Sequence, residues 1–216
     1  MRGERRLARP VRLTMKRLAF WILGVALVAQ IAWIAIERVH SQRGWSGLLY
    51  PLFVTIGFTA LALTREHFRF IPALLRIFIG VAFVSAICDR LGLFGGPGTL
   101  GVSWGNFENF VSYTAQVNSF LPGRIILALA VVESFIEGAL GIAMLLGLAV
   151  RPVSIASTAL LSALGVAMTV SLGVSSQFSF AVFVLAAGAF VIANVDATLL
   201  SLDTLRARFR QAAFAV

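Results

Sequence analysis

Two glutamates, Glu133 and Glu137, lie within an otherwise uncharged, largely apolar run at 125–150. A spacing of four residues places both carboxyl groups on one face of a helix, about 40° apart. An ionisable group at the centre of an apolar helix costs roughly 2.5–3.5 kcal/mol on insertion scales, so it needs a compensating interaction. We therefore expect the two carboxyl groups either to share a proton or to be balanced by a cation.

The cation expected to balance the glutamates is Arg90, which follows Asp89 at the end of an earlier apolar run. This set predicts a polar pocket for a proton, a quinone or a small solute. Glu133 and Glu137 are its predicted catalytic groups, and Asp89, Arg90 and Trp104 are its predicted cofactor-binding groups. In the alternative interpretation, the carboxyl groups only bond to hydroxyls of the next apolar run and fix its packing. The candidate hydroxyl residues are Ser154, Ser157, Thr158 and Ser162.

The elements that position these groups are predicted from composition. Of the 216 residues, 59% are apolar and 12% are charged, and the mean hydropathy is +0.93. A soluble domain is nearer half apolar and a quarter charged, so the excess apolar surface must face lipid. The sequence predicts an all-α integral membrane protein with six transmembrane helices, the first of them uncleaved. The predicted spans are 18–36, 45–64, 72–88, 125–150, 153–172 and 178–199.

The net charge of +9 indicates the orientation of these spans. Alone it would suit a nucleic-acid partner, but basic loops of membrane proteins stay in the cytoplasm. If the N-terminus is inside, the inner segments hold 14 basic residues and the outer segments 4. This favours a basic cytoplasmic N-terminus at 1–17, an amphipathic outer loop at 92–123 and a basic cytoplasmic tail at 201–216.

Three further expectations concern polar residues near the span ends. Arg76 is expected to extend to the lipid headgroups, as long basic side chains do near a membrane boundary. Arg151 and Pro152 are expected in a tight turn between two spans. Asn194 and Asp196 are expected to form a boundary pair.

The chain has few residues that could carry other redox or metal chemistry. Cys88 is the single cysteine, so an internal disulfide is excluded. His40 and His67 fall in predicted turns on opposite sides of the membrane, so they cannot share a metal ion, and no metal site is predicted. No intrinsic cofactor is predicted, and redox work would require a quinone or a partner protein.

Residues 73–200 resemble the DoxX family of small bacterial membrane proteins. The matching segments are LLRIFIGVAF (74–83), DRLGLFG (89–95), WGNFENFVSYTAQVNSFLP (104–122) and E-x3-G-x5-G-x3-R on Glu137, Gly141, Gly147 and Arg151. The resemblance implies a core of four transmembrane helices at 65–200, preceded here by two extra helices at 18–64. Glu137 matches the family's glutamate, whereas Glu133 has no counterpart.

The family takes its name from a small subunit of thiosulfate:quinone oxidoreductase, and other members accompany thiol or sulfur oxidoreductases at the inner membrane. The resemblance implies a subunit or partner of such a system in the bacterial plasma membrane, passing electrons to quinone and enzymatic only with its partner. One alternative is a non-catalytic scaffold or assembly factor that holds a periplasmic or membrane protein. Another is a small-solute or proton transporter, although the predicted spans lack the paired Gly- or Pro-interrupted helices of many transporter sites.

Overall fold

The computed structural model of the protein describes residues 4–40, 45–64 and 67–213. Within these ranges all regular secondary structure is helical, as predicted. The α-helices are α1 (Glu4–His40), α2 (Leu49–Thr64), α3 (Phe70–Arg90), α4 (Phe107–Val117), α5 (Ile126–Leu146), α6 (Val150–Leu172), α7 (Val174–Ser179), α8 (Val182–Asn194) and α9 (Leu202–Ala213). Short 3-10 turns at Trp45–Leu48 and Gly123–Ile125 precede α2 and α5.

Four helical segments among the described residues are long and apolar enough to cross a membrane. They are Leu13–Val39, Phe70–Arg90, Gly123–Leu146 and Val150–Leu172. Two shorter apolar helices, Leu49–Thr64 and Val182–Asn194, accompany them. At 1.5 Å per residue, α8 is only about 20 Å long, against roughly 30 Å of bilayer hydrocarbon. The all-helical fold is therefore confirmed and the four candidate spans support a membrane protein, while the number of six spans stays a prediction.

The run predicted as the sixth span is divided into α7 and α8. Ala181, between them, has a positive φ of 50°. Helix α1 supports the interruption from the side. Gln30 Nε2 donates to the Phe178 carbonyl oxygen, and Trp33 Nε1 donates to Ser175 Oγ, both at 2.9 Å. No glycine or proline marks this point, so helical periodicity alone predicted an unbroken helix.

Helix α8 lies at the centre of the bundle, where α6, α1, α2 and α3 pack around it. Nearly all its side chains are buried. Two glycines allow this close packing: a Cβ on Gly188 would overlap the Phe58 ring, and a Cβ on Gly165 would overlap the Phe183 ring. Because α8 is covered by protein, its apolar composition reflects the core of the bundle as well as the membrane.

Helices α3 and α5 approach closely through Gly80 and Gly141. A Cβ on Gly80 would lie 2.9 Å from the Leu145 backbone nitrogen, and one on Gly141 would lie 2.9 Å from Phe83 Cβ. Small residues permit such approach between helix backbones in membranes. Since Gly141 is one turn beyond Glu137, this contact sets the distance between α3 and the glutamates of α5.

Alanine at Gly141 is expected to lower the free energy of unfolding by about 1–3 kcal/mol, the usual cost of overpacking. Gly138, on the same helix, is the matched control, because a Cβ there would lie 3.7 Å from Ile87 Cγ1, an ordinary contact. Gly138→Ala should leave stability unchanged or raise it, since alanine favours helix. Thermal unfolding of the purified protein in detergent measures both variants. Equal destabilisation of the two would contradict the packing argument.

Two expectations, about Arg76 and about the connection between α5 and α6, are wrong. Arg151 and Pro152 lie in the first turn of α6, and the connection from α5 is made by 147–149. Arg76 does not reach the headgroups: its side chain is completely buried, and Nη2 donates to the Leu199 and Leu200 carbonyl oxygens at 3.3 and 3.0 Å. The backbone that follows α8 folds back over Arg76, and its carbonyl oxygens accept the hydrogen bonds that water or lipid headgroups would otherwise accept.

Candidate functional site

Arg90 brings the end of α3 against the two glutamates of α5. Its Nη2 atom lies 2.5 Å from Glu137 Oε2 and 4.0 Å from Glu133 Oε1. Its Nη1 atom donates to Ser134 Oγ at 3.0 Å. Arg90 and Glu137 are buried, and Glu133 is partly buried. The structure therefore supplies the expected cation and turns both carboxylates towards it.

Aromatic rings cover the guanidinium of Arg90. Its Cζ atom lies 3.6 Å from the centre of the Phe110 ring and 5.1 Å from that of Trp104. Trp104 in turn contacts Phe110 edge to face, with ring centres 5.2 Å apart. Cation–π attraction strengthens when the cation is removed from water. The arrangement keeps a charged group close to the apolar interior without full hydration.

Asp89 has a different position from the one predicted. Its Oδ2 atom accepts hydrogen bonds from the backbone nitrogens of Ser103 (2.8 Å) and Trp104 (3.3 Å), and its Oδ1 atom accepts one from Gly105 (3.0 Å). Consecutive residues on a helix point about 100° apart, so Asp89 faces the loop when Arg90 faces the glutamates. Asp89 therefore holds the loop that carries Trp104, and the structure does not place it in the cavity described below.

Asparagine at Asp89 is expected to loosen this loop. The carboxylate accepts three backbone N–H groups, and bonds to charged groups contribute about 1.5–3 kcal/mol each. If the variant loses the energy of one such hydrogen bond, we expect the backbone amides at 103–105 to exchange roughly 10- to 100-fold faster. Hydrogen exchange followed by mass spectrometry measures this. Glu108→Gln, at an exposed position on α4, should leave exchange in the loop unchanged, and an equal effect of both variants would contradict the assignment.

The arginine and both glutamates open onto a cavity of about 160 Å³. Helix α4 forms one wall, and its buried residues Phe110, Thr114 and Val117 follow helical spacing. An engineered apolar cavity of similar size holds a benzene molecule. The remaining lining residues come from α2, α3, the loop after α3, α4 and the residue that follows it, α5, α6, and α8 with Phe180 just before it. Those with polar or aromatic side chains are Tyr50, Phe83, Arg90, Trp104, Tyr113, Asn118, Glu133, Glu137 and Phe180.

Four polar residues of this cavity, Tyr50, Tyr113, Thr114 and Asn118, were not among the predicted site residues. Tyr113 and Asn118 continue the pattern of Phe110, Thr114 and Val117 along the α4 segment, so the helical spacing of that segment contained a signal for them. Tyr50 comes from α2, about 80 residues before the glutamates. No local pattern links α2 to α5, so only the fold shows that Tyr50 belongs here.

Two of the hydroxyl groups considered as partners of the glutamates bond within α6 instead. Ser154 Oγ donates to the Val150 carbonyl oxygen at 2.7 Å, and Thr158 Oγ1 donates to that of Ser154 at 2.8 Å. Ser157 Oγ is buried and makes no hydrogen bond with the described residues. Arg90, and not the α6 hydroxyls, is therefore the partner of the carboxylates.

Asn194 and Asp196 lie at the opposite end of the bundle and do not pair with each other. Asn194 Nδ2 donates to the Phe190 carbonyl oxygen at 2.8 Å. Asp196 accepts from Thr198 and lies 2.5 Å from Arg69 Nη2. Hydrogen bonds from Thr198 and the nearby Arg69 guanidinium lower the pKa of Asp196. This is a solvent-exposed ion pair between the residue before α3 and the segment after α8, of a kind that contributes little to stability.

The described residues contain no group of three or more His, Cys, Asp or Glu side chains able to hold a metal ion. His67 is exposed in the connection before α3. The side chain of His40 lies outside the described part of the chain.

Comparison of the chain with family models finds no match, and comparisons with curated proteins and with solved structures find none either. Membership of the DoxX family stays a prediction that depends on the motifs in 73–200. Two glycines of those motifs have a physical role in this fold. Gly141 lies at the close contact between α3 and α5, and Gly147 has a positive φ of 63° next to Arg76.

Proposed function

We propose that this chain is the membrane subunit or membrane partner of a thiol or sulfur oxidoreductase system, and that its cavity binds the head of the quinone that accepts the electrons. The observation that carries the proposal is the meeting of Arg90, Glu133 and Glu137 with aromatic side chains in one ring-sized cavity. A quinone head has the same character, with an apolar ring and two polar oxygens. The DoxX-like motifs favour the same class of function.

The chemistry requires two electrons and two protons for each quinone reduced to quinol. Oxidation of two thiols to a disulfide, or of an equivalent sulfur compound, releases both, and we assign that step to the partner protein because this chain has a single cysteine. Arg90 is suited to donate a hydrogen bond to a quinone oxygen. Glu133 and Glu137 are suited to deliver protons to the reduced oxygens and to recover them afterwards.

The proposed location is the bacterial plasma membrane, with both termini in the cytoplasm. The uneven distribution of basic residues between alternate loops supports this orientation. It would place the loop after α3 and the mouth of the cavity on the periplasmic side. A periplasmic thiol or sulfur enzyme could then dock next to the site.

Binding is tested by titrating the purified chain in nanodiscs with a short-chain quinone and following tryptophan fluorescence. We expect saturable quenching, most of which is lost in Trp104→Phe because Trp104 lines the cavity. Glu137→Gln should weaken binding about tenfold, the effect of one charged hydrogen bond. Glu108→Gln is the matched control and should bind normally. A wild-type chain that shows no saturable quenching would overturn the quinone proposal.

Turnover is tested in native membranes by thiol-dependent quinone reduction. Glu137→Gln at wild-type protein level should lower the rate at least tenfold. An unchanged rate would remove Glu137 from the mechanism. Gentle purification should also retain a thiol or sulfur enzyme with the chain, and its identity would define the substrate class.

A scaffold function is the second candidate, because the loop after α3 presents exposed apolar side chains. Leu91, Leu93 and Phe94 are exposed, and Leu100 is fully exposed. A photocrosslinker at Leu100 tests this surface, with one at Glu108 as the control position. Capture of a membrane or periplasmic protein without redox-active cysteines, from Leu100 only, would favour the scaffold. Capture of a thiol or sulfur enzyme would favour the first proposal.

A further inference from the structure

Helix α9 leaves the bundle at the end opposite the cavity, beside the connection between α5 and α6. Its first turn is fastened there by Asp203, whose carboxylate oxygens accept hydrogen bonds from the backbone nitrogens of Ala149 and Val150, each at 3.0 Å. The Asp203 nitrogen donates to the Gly147 carbonyl oxygen at 3.2 Å. Val150 begins a segment long and apolar enough to span the membrane. Helix α9 therefore starts at the level of the membrane boundary.

Beyond its first turn, α9 is amphipathic and its described side chains are uncovered. Leu205 and Phe209, four residues apart on one face, are 47% and 74% exposed. Arg206 and Ala207 are also exposed. The sequence of the helix, LDTLRARFRQAA, has three arginines and one aspartate, so its side chains carry a net positive charge. Basic residues combined with an apolar face are typical of helices that lie in the plane of a membrane interface.

We propose that α9 lies along the membrane surface and binds anionic phospholipid headgroups. Leu205 and Phe209 enter the boundary between headgroups and acyl chains, and Arg206 contacts the headgroup phosphates. Charge complementarity selects this occupant, because a lipid surface offers hydrocarbon below a layer of negative charge. The hydrogen bonds of Asp203 keep the start of the helix at the required height.

The test uses the full chain in nanodiscs of phosphatidylcholine alone or of phosphatidylcholine mixed equally with phosphatidylglycerol. In a Cys88→Ser background, the single cysteine of Leu205→Cys carries an environment-sensitive fluorophore, and Ala207→Cys is the matched control. We expect blue-shifted emission and quenching by a lipid-borne quencher at position 205, and neither at position 207. Phosphatidylglycerol should increase quenching at 205, and 1 M salt should cancel the increase because the screening length is then only about 3 Å.

Arg206→Gln should reduce the preference for anionic lipid about fivefold, the contribution expected of one basic residue near such a surface. Equal signals at 205 and 207 would overturn the proposal. Quenching at position 205 that changes neither with phosphatidylglycerol nor with salt would overturn the assignment of anionic headgroups. Protection of 205 that depends on protein concentration in detergent would instead assign the face to a second copy of the chain. None of these outcomes depends on quinone binding, so they test α9 separately from the cavity.

Discussion

Replacing Arg90 by methionine is expected to lower the free energy of unfolding by about 3–5 kcal/mol, the usual cost of removing one partner from a buried ion pair. The reason is that Glu137, buried and 2.5 Å from the guanidinium, loses its counter-charge, and Glu133 adds a second carboxylate nearby. The variant must then protonate both carboxyl groups or admit water to them. Thermal unfolding and the yield of folded protein in detergent measure the loss.

The control is a variant without charge at this position, Arg90→Met with Glu133→Gln and Glu137→Gln. Removing all three charges together should restore most of the lost stability, because buried ion pairs replaced as a unit are often neutral in stability. The same variant should not bind quinone, so it separates stability from function. If the triple variant is as unstable as Arg90→Met alone, the cost is due to lost packing against Phe110 and Trp104, and the electrostatic explanation is wrong.

Replacing Gly147 by alanine is expected to be nearly as damaging, with a loss of about 2–5 kcal/mol. A left-handed backbone costs an L residue about 1–2 kcal/mol, and overpacking adds about 1–3 kcal/mol. Gly147 has a φ of 63°, and a Cβ there would overlap the Arg76 guanidinium and Ser201. Arg76 is already buried with its Nε and Nη1 atoms unpaired, so it has little freedom to move away.

Gly101→Ala is the matched control for this variant. Gly101 also has a positive φ, 82°, but a Cβ there would meet open space. Gly101→Ala should therefore lower the free energy of unfolding only by the backbone contribution of about 1–2 kcal/mol. Unfolding of the two variants under the same conditions measures the difference. Equal losses would mean that the contact with Arg76 and Ser201 contributes nothing.

Hydropathy predicted the class of the protein and most helix ranges, because the cost of placing polar groups in lipid accumulates over some twenty residues. The pairing of Arg90 with the glutamates was predictable for the same reason. Charged side chains are few inside the apolar runs of this sequence, so Glu133 and Glu137 had few candidate partners. The composition and spacing of the chain therefore determined a helical membrane protein with a charged group near its centre.

Only the tertiary structure decided which neighbouring groups share that site. Asp89 and Arg90 are adjacent on α3, so their side chains point about 100° apart. Asp89 therefore accepts hydrogen bonds from a loop 14 to 16 residues away and does not join Arg90 at the glutamates. Arg76 donates hydrogen bonds to carbonyl oxygens more than 120 residues away, whereas the sequence alone suggested contact with lipid headgroups. Such contacts depend on how helix ends and loops fold back over the bundle, which is decided by close packing between distant segments. Hydropathy averages over neighbours in the chain, so it carries no information about these long-range partners.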